Sequence, residues 1–408
     1  MEIIIIDNGL ITKGEHSYRL AKEICEVTSH RGLKCRVFAM NCIDESMIAE
    51  IGAIPHFSRH LYDSEPVGSE KTWLEKLFGR KEPESGFSEE KSFKVLNAAF
   101  EADLAALPKD IWQPGNLIVA PGLCQHQILG LVRHLRSIPE ACRPKVVCQL
   151  MFTPSWLPWG VNAKHGKNFY RQSFKCAAPI IGRDLFFTVE NKAMQDYYRK
   201  MFRIETQILP IPFGGGRRKE LNNSKFHLGF FGNSKRDKGF HLLPRALEIC
   251  REKALDFDIT IQIQHNHWEP ATIAADCALR SMPGIRLLDG ILDSDQYLEE
   301  AHKIDVMLLP YDPATFGFRG SGIFTESVSA GRVIIATKGT FAGRSVELGE
   351  AAGVTFSPHG SAQLAAAIQR LLPRMPQYKA QAMALAENFG QRHSGHAYLD
   401  VLLDIGRA

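Results

Sequence analysis

The sequence predicts an α/β protein made of two doubly wound parallel-sheet domains, and three observations carry that expectation. Apolar β-branched runs alternate with amphipathic stretches of helical period along the whole chain. Midway, the segment GGGRRKELNNSK breaks the alternation, being rich in glycine and charge and without periodicity, as a linker is. The chain also has 408 residues, 45% hydrophobic and 23% charged, more than a single core usually supports.

The elements follow in order. Ile3 to Ile6 are apolar and β-branched throughout, which suits a strand covered on both faces. A glycine-bearing turn comes next, and SYRLAKEICEVTSHRG then sets Leu20, Ile24 and Val27 on one helical face before Gly32. KCRVFAM supplies a second strand. NLIVAP before the helix QILGLVRHL, then KVVCQLMF, then DLFFTVE before a helix from Lys192 to Met201 continue the series. After the linker a second series runs through HLGFFG, HLLPRALEICRE, DITIQIQ, GIRLLDG, DQYLEEAHK, DVMLLP, a helix around TESVSAG, RVIIAT and AQLAAAIQRLL. The expected divisions are 1–212, a linker at 213–224, 225–385, and a terminal helical segment at 386–408, with a cleft between the two halves.

Composition excludes several classes. A net charge of +4 gives no global basic field for neutralising a nucleic-acid backbone. Nine cysteines, with no CxxC pair and no Cys/His cluster at zinc spacing, read as a reducing, cytoplasmic setting with no metal site. The opening MEIIIIDNG is too short in its apolar run for a signal-peptide core, and no membrane-spanning segment is expected. Residues 63–92 form a charged insertion around WLEKLF. It reads either as a surface excursion with one short helix or as a contact for an acceptor or the inner face of a membrane through Trp73, Leu77 and Phe78. Trp156 and Trp159 in FTPSWLPWG read either as packing residues or as a platform for a sugar ring.

The strongest chemical signal is RGSGIFTESVSAGRVIIAT. A Gly-Ser-Gly turn that opens a helix lets backbone N–H groups approach phosphate oxygens, with the helix dipole favouring negative charge. Ser321, Gly322 and Ile323 would form that cradle, Arg319 would neutralise phosphate, and Glu326, one turn further in, would accept from ribose hydroxyls. The plainer alternative is a tight turn followed by an acid that pairs with the helix dipole. A second signal is GFFGNSKRDKGF, where an apolar strand ends at Gly232 and Lys235, Arg236 and Lys238 stand above the same sheet edge. Charged loops of this kind are also ordinary solvated surface.

Together these segments resemble the donor-binding half of the retaining family 4 glycosyltransferases, which have the GT-B fold: two Rossmann-like domains facing across a cleft. The resemblance implies an N-terminal acceptor domain and a C-terminal nucleotide-sugar domain, with the final helix packing back on the first. Lys238 matches the family's loop lysine, Glu326 its ribose-binding acid, and Gly9, Gly14, Glu15 and His16 its first loop. Asn233 stands where the family has arginine, with Arg236 as its substitute; Phe318 replaces the upstream glutamate and Val333 the proline, and the strand histidine is absent.

What the resemblance implies is transfer of a sugar from a nucleoside diphosphate sugar to a hydroxyl of a glycan, lipid-linked or small-molecule acceptor, with retention and without a cofactor or metal. Lys238, Arg236, Arg319 and the amides of Ser321 and Gly322 would stabilise the departing diphosphate, with Gly14 and Asn233 at the donor. His16 is the candidate base for the acceptor and His126 the runner-up. His265 and His267 lie two apart on the donor side, and no carboxylate or third histidine in the sequence marks them as a metal site. A nucleotide-sugar 2-epimerase and an inactive nucleotide-binding partner are the competing readings.

Overall fold

The computed structural model describes residues 1–13, 16–66, 88–154, 163–213, 225–265 and 269–407. The stretches around Gly14 and Glu15, Trp73 to Phe78, Trp156 and Trp159, His267 and the expected linker fall outside the described residues. The chain divides into two compact units, Met1–Ile208 with Leu402–Ala408, and Leu209–Val401.

The first unit holds seven parallel strands: β1 (Glu2–Ile6), β2 (Lys34–Met40), β3 (Ala53–Phe57), β4 (Leu117–Ala120), β5 (Lys145–Gln149), β6 (Leu185–Val189) and β7 (Gln207–Ile208), in the order β3-β2-β1-β4-β5-β6-β7. Ile3 to Ile6 are fully buried, as a central strand covered on both faces requires. The helices are α1 (His16–His30), α2 (Glu45–Ile51), α3 (Glu89–Ala106), α4 (Ile128–Ser137), α5 (Ala163–Ala177) and α6 (Lys192–Phe202). Strand β3 carries Pro55, which has no N–H for a ladder; the sheet tolerates it because β3 is an edge. The charged insertion ends sooner than its composition suggests. Ser88 caps α3 through its side chain, so 89–92 are helical. The neck of the excursion is tied by Ser88 N–H to Glu65 C=O at 3.0 Å and by Glu65 N–H to Ser92 Oγ at 2.8 Å.

The second unit holds β8 (His227–Phe230), β9 (Asp258–Ile263), β10 (Ile285–Asp289), β11 (Val306–Leu309), β12 (Val333–Thr337) and β13 (Gly353–Phe356), all parallel, in the order β10-β9-β8-β11-β12-β13. Its helices are α7 (Leu243–Glu252), α8 (Pro270–Ser281), α9 (Ser294–His302), α10 (Pro313–Phe316), α11 (Gly322–Ser329), α12 (Phe341–Glu347), α13 (Ser361–Leu371) and α14 (Met375–Arg392). Period-two alternation divides its core between the sheet faces. Val306, Leu308, Val333 and Ile335 pack with α7 and α13 residues. Met307, Leu309, Ile334 and Ala336 pack with Phe231, Tyr311, Phe324 and Val328. A last helix, α15 (Gly395–Arg407), belongs to the second unit up to Val401 and to the first from Leu402.

Candidate functional site

The second sheet reverses its strand order between β8 and β11, and ligands of open α/β sheets sit outside the carboxyl ends of the strands at such a point. Two loops leave the sheet there, Phe231–Gly239 after β8 and Pro310–Ser321 after β11. They are sewn together: the Asp312 amide donates to the Asp237 carbonyl at 2.7 Å. Gly239 has φ +76°, and a Cβ there would overlap the Pro310 carbonyl oxygen, so only glycine brings the loops this close.

Lys238 precedes that glycine. Its ammonium reaches over Gly232, whose own Cβ, were it present, would meet Lys238 Nζ at 2.9 Å and Ile323 Cδ1 at 2.8 Å. Gly232, at φ +90°, therefore leaves space where the loop lysine and the first turn of α11 come together. By surface area Lys238 is only half-buried, yet protein atoms crowd it, and its pKa falls to about 8. Desolvation is the main cause; Lys235 and Arg319 push the same way and Asp237 opposes them.

Helix α11 begins at Gly322 with Ser321 as its cap, the Ser321 hydroxyl accepting from the Phe324 amide at 3.3 Å. The amides of Gly322 and Ile323, like all in a first helical turn, have no intrahelical acceptor and carry the positive end of the helix dipole. Beneath them Tyr311 is 2% exposed, its phenol hydrogen-bonded to Ser321 and its pKa pushed up to about 12 by burial first. Arg319 lies over the Phe316 ring with 5.0 Å between guanidinium carbon and centroid. Glu326, half-buried one turn into the helix, accepts from the Tyr297 hydroxyl at 2.6 Å. These contacts group Lys238, Arg319, Ser321, Gly322, Ile323 and Glu326 at one edge.

Arg236 and Asn233 belong to the other side of the same loop. Arg236 is exposed, its amide donates to Glu269 at 2.8 Å, and its charge helps hold down the pKa of His241. Asn233 is half-buried, and its carbonyl accepts from the Lys235 amide at 2.9 Å. The loop is anchored from β9: Gln262 accepts from the Gly232 amide at 2.8 Å, and Ser234 and Gln264 exchange backbone and side-chain bonds. Gln262, Tyr297, Tyr311 and Asp237 went unnoticed in the sequence because each sits inside an ordinary strand, helix or loop pattern. His265 does have a carboxylate beside it, contrary to the sequence expectation. Asp276 lies 3.1 Å from its Nε2 and is itself paired with Arg280 at 2.7 Å. Among the described residues no group of three or more His, Cys, Asp or Glu is placed to hold a metal.

In the first unit the order reverses between β1 and β4. After β1, the Gly9 amide donates to Asp7 at 2.8 Å, and the Asn8 carbonyl accepts from Leu61 at 3.0 Å. His16 opens α1 and is exposed. His126, in the loop after β4, is 1% exposed and its pKa falls to about 4, chiefly through desolvation, which keeps the ring neutral. His60, after β3, was not singled out by sequence. It is hydrogen-bonded to the backbone of Gly9, and burial lowers its pKa. No helix among the described residues is long and apolar enough to cross a membrane.

No protein-family model and no curated protein sequence matches the chain. Solved structures do. Sucrose-phosphate synthase from Thermosynechococcus elongatus superposes with a TM-score of 0.65 at 12% identity, covering 100% of this chain and 98% of that one. Anabaena HepE in complex with UDP and glucose gives 0.64 at 16% identity, covering 99% and 98%. A glycosyltransferase from Rickettsia africae gives 0.60 at 11% identity, covering 99% and 98%. With its two parallel sheets, each wound with helices, the chain has the GT-B fold.

Proposed function

We propose that this protein is a glycosyltransferase that moves a sugar from a nucleoside diphosphate sugar to an acceptor hydroxyl, with retention at the anomeric carbon and without a metal ion. The observation that carries this reading is the meeting of Lys238 with the first turn of α11 above Gly232 at the strand-order switch. That edge offers what a departing diphosphate needs: an ammonium, a guanidinium on Arg319, and the Gly322 and Ile323 amides, all positive and positioned before the reaction. Glu326 in this reading accepts from the ribose hydroxyls.

As the glycosidic bond lengthens, negative charge gathers on the β-phosphate, and a half-buried ammonium stabilises it more than a fully hydrated one would. In this reading Gly14 and Asn233 contact the donor, Arg236 serves its outer phosphate, and His16 takes the acceptor proton. HepE, whose structure contains UDP and glucose, supports a uridine donor here, and the acceptor is in this reading a glycan.

The test is thermal denaturation with UDP, GDP, ADP and dTDP, because a ligand that binds only the native state raises its melting temperature. One nucleotide is expected to stabilise the wild type and to lose its effect in Lys238→Ala and Glu326→Ala. Incubation of the matching nucleotide sugar with pooled glycan acceptors should then release the free diphosphate. If no nucleotide at millimolar concentration shifts the wild type, the reading fails.

A further inference from the structure

Glu326 is held from a second helix. Tyr297 on α9 donates its phenolic proton to Glu326 Oε2 at 2.6 Å, the short distance of a charge-assisted O–H bond to a carboxylate. The tyrosine ring is itself set edge-on against Phe231, with centroids 5.7 Å apart and planes at 88°. Phe231 is 1% exposed and immediately precedes Gly232, so one chain of contacts runs from the end of β8 through Tyr297 to the α11 carboxylate. Apart from its hydroxyl, Tyr297 packs as an apolar residue on the Phe231, Met307 and Leu309 face. A phenylalanine would pack there equally well. What the hydroxyl adds is the bond to Glu326.

A glutamate has three side-chain torsions, and a hydroxyl that arrives to find them free must order them at its own expense. We propose that Tyr297 is a positioning residue that fixes the Glu326 carboxylate in the orientation that reads the ribose of the donor nucleotide, so that ribose over deoxyribose preference is set by the Tyr297–Glu326 pair. The proposal rests on the nucleoside diphosphate reading of this edge. It assigns Tyr297 no contact with the reacting atoms.

The experiment is titration calorimetry with UDP or GDP, whichever stabilises the wild type, and with its 2′-deoxy and 3′-deoxy counterparts. It uses wild type, Tyr297→Phe, Glu326→Ala and the double variant. Loss of a hydrogen bond to a charged group should weaken ribonucleotide binding by about tenfold in Tyr297→Phe. Binding of at least one deoxy analogue should change far less, so the preference collapses toward that of Glu326→Ala. Adding Tyr297→Phe to Glu326→Ala should then cost nothing further. Equal weakening of all the nucleotides, or a further loss in the Glu326→Ala background, would mean that the ring merely supports the fold, and would overturn the proposal. Melting without ligand checks that Tyr297→Phe folds, and Tyr297→Leu, which also removes the hydroxyl, serves as the second variant with the same expected ratio. A wild type that binds but keeps its preference in both variants refutes only the role of Tyr297. A wild type that binds no nucleotide refutes the donor reading and this inference with it.

Discussion

Two residues turn burial into pH dependence with opposite chemistry. Lys238, with its pKa near 8, is mostly charged at pH 7 and mostly neutral at pH 9. An anion binds only the charged form well, so nucleoside diphosphate affinity should fall about tenfold between those pH values. Lys238→Arg keeps its charge to far higher pH and should flatten the curve. A pH-independent wild-type dissociation constant would remove Lys238 from the proposed phosphate site. His126 acts on stability instead. Its folded pKa lies near 4, below that of a free imidazole, so between about pH 6.5 and 4 the unfolded chain binds a proton that the folded chain does not. The sign is that stability declines as pH falls through this window, by up to about 3 kcal/mol. Urea unfolding at pH 7 and 4.5 should show this loss, and His126→Gln should reduce the difference between the two. The same burial makes His126 a poor proton acceptor near neutrality, which the sequence, showing a histidine after a strand, could not reveal.

At the scale of elements, the site depends on two backbone devices: the capped start of α11 and the left-handed glycines of the β8 loop. Ser321→Ala removes the side-chain acceptor for the Phe324 amide and should cost about 1 kcal/mol, read as a lowered midpoint in chemical unfolding. Gly239→Ala is more severe. A methyl group cannot share space with the Pro310 carbonyl, and φ +76° is strained for any other residue. The loops must separate, so that variant should lose about 2–4 kcal/mol and all nucleotide-dependent stabilisation, whereas Gly115→Ala, also at positive φ but facing open space, should retain binding.

The central strands of both sheets were legible because burial on both faces leaves apolar runs such as Ile3–Ile6 and Val333–Ala336. Strand β3 was not legible, because an edge strand with Pro55 and a half-buried pattern carries little of that signal. The turn that opens α11 at Ser321 and the partner loop ending at Lys238 were legible from glycine and charge. The tyrosines beside them were not, since their roles arise from contacts between elements far apart in sequence: Tyr297 with Glu326, and Tyr311 with Ser321.

For the whole molecule the consequence lies in how the chain is shared between its units. Residues Leu402–Ala408 belong with the first unit although the preceding stretch belongs with the second. Leu402, Leu403 and Ile405 are 0, 5 and 1% exposed, Lys145 donates to the Ile405 carbonyl, and Gly406 packs beside Met1 and Leu117. Removing 402–408 strips three buried aliphatic side chains from the first unit, a loss of about 3–8 kcal/mol at the usual value per buried residue, reduced for the compactness of the unfolded chain. The edge proposed to hold the donor, from Lys238 to Glu326, lies wholly within Leu209–Val401, so on that proposal a nucleoside diphosphate should stabilise that unit directly. Calorimetry of the full chain should therefore resolve two transitions that respond differently. Nucleotide should raise one, and deletion of 402–408 should lower the other while leaving the nucleotide-sensitive one within a few degrees. A single transition moved equally by both perturbations would show that the units unfold as one, and that the terminal residues stabilise the donor edge as much as the sheet they pack against.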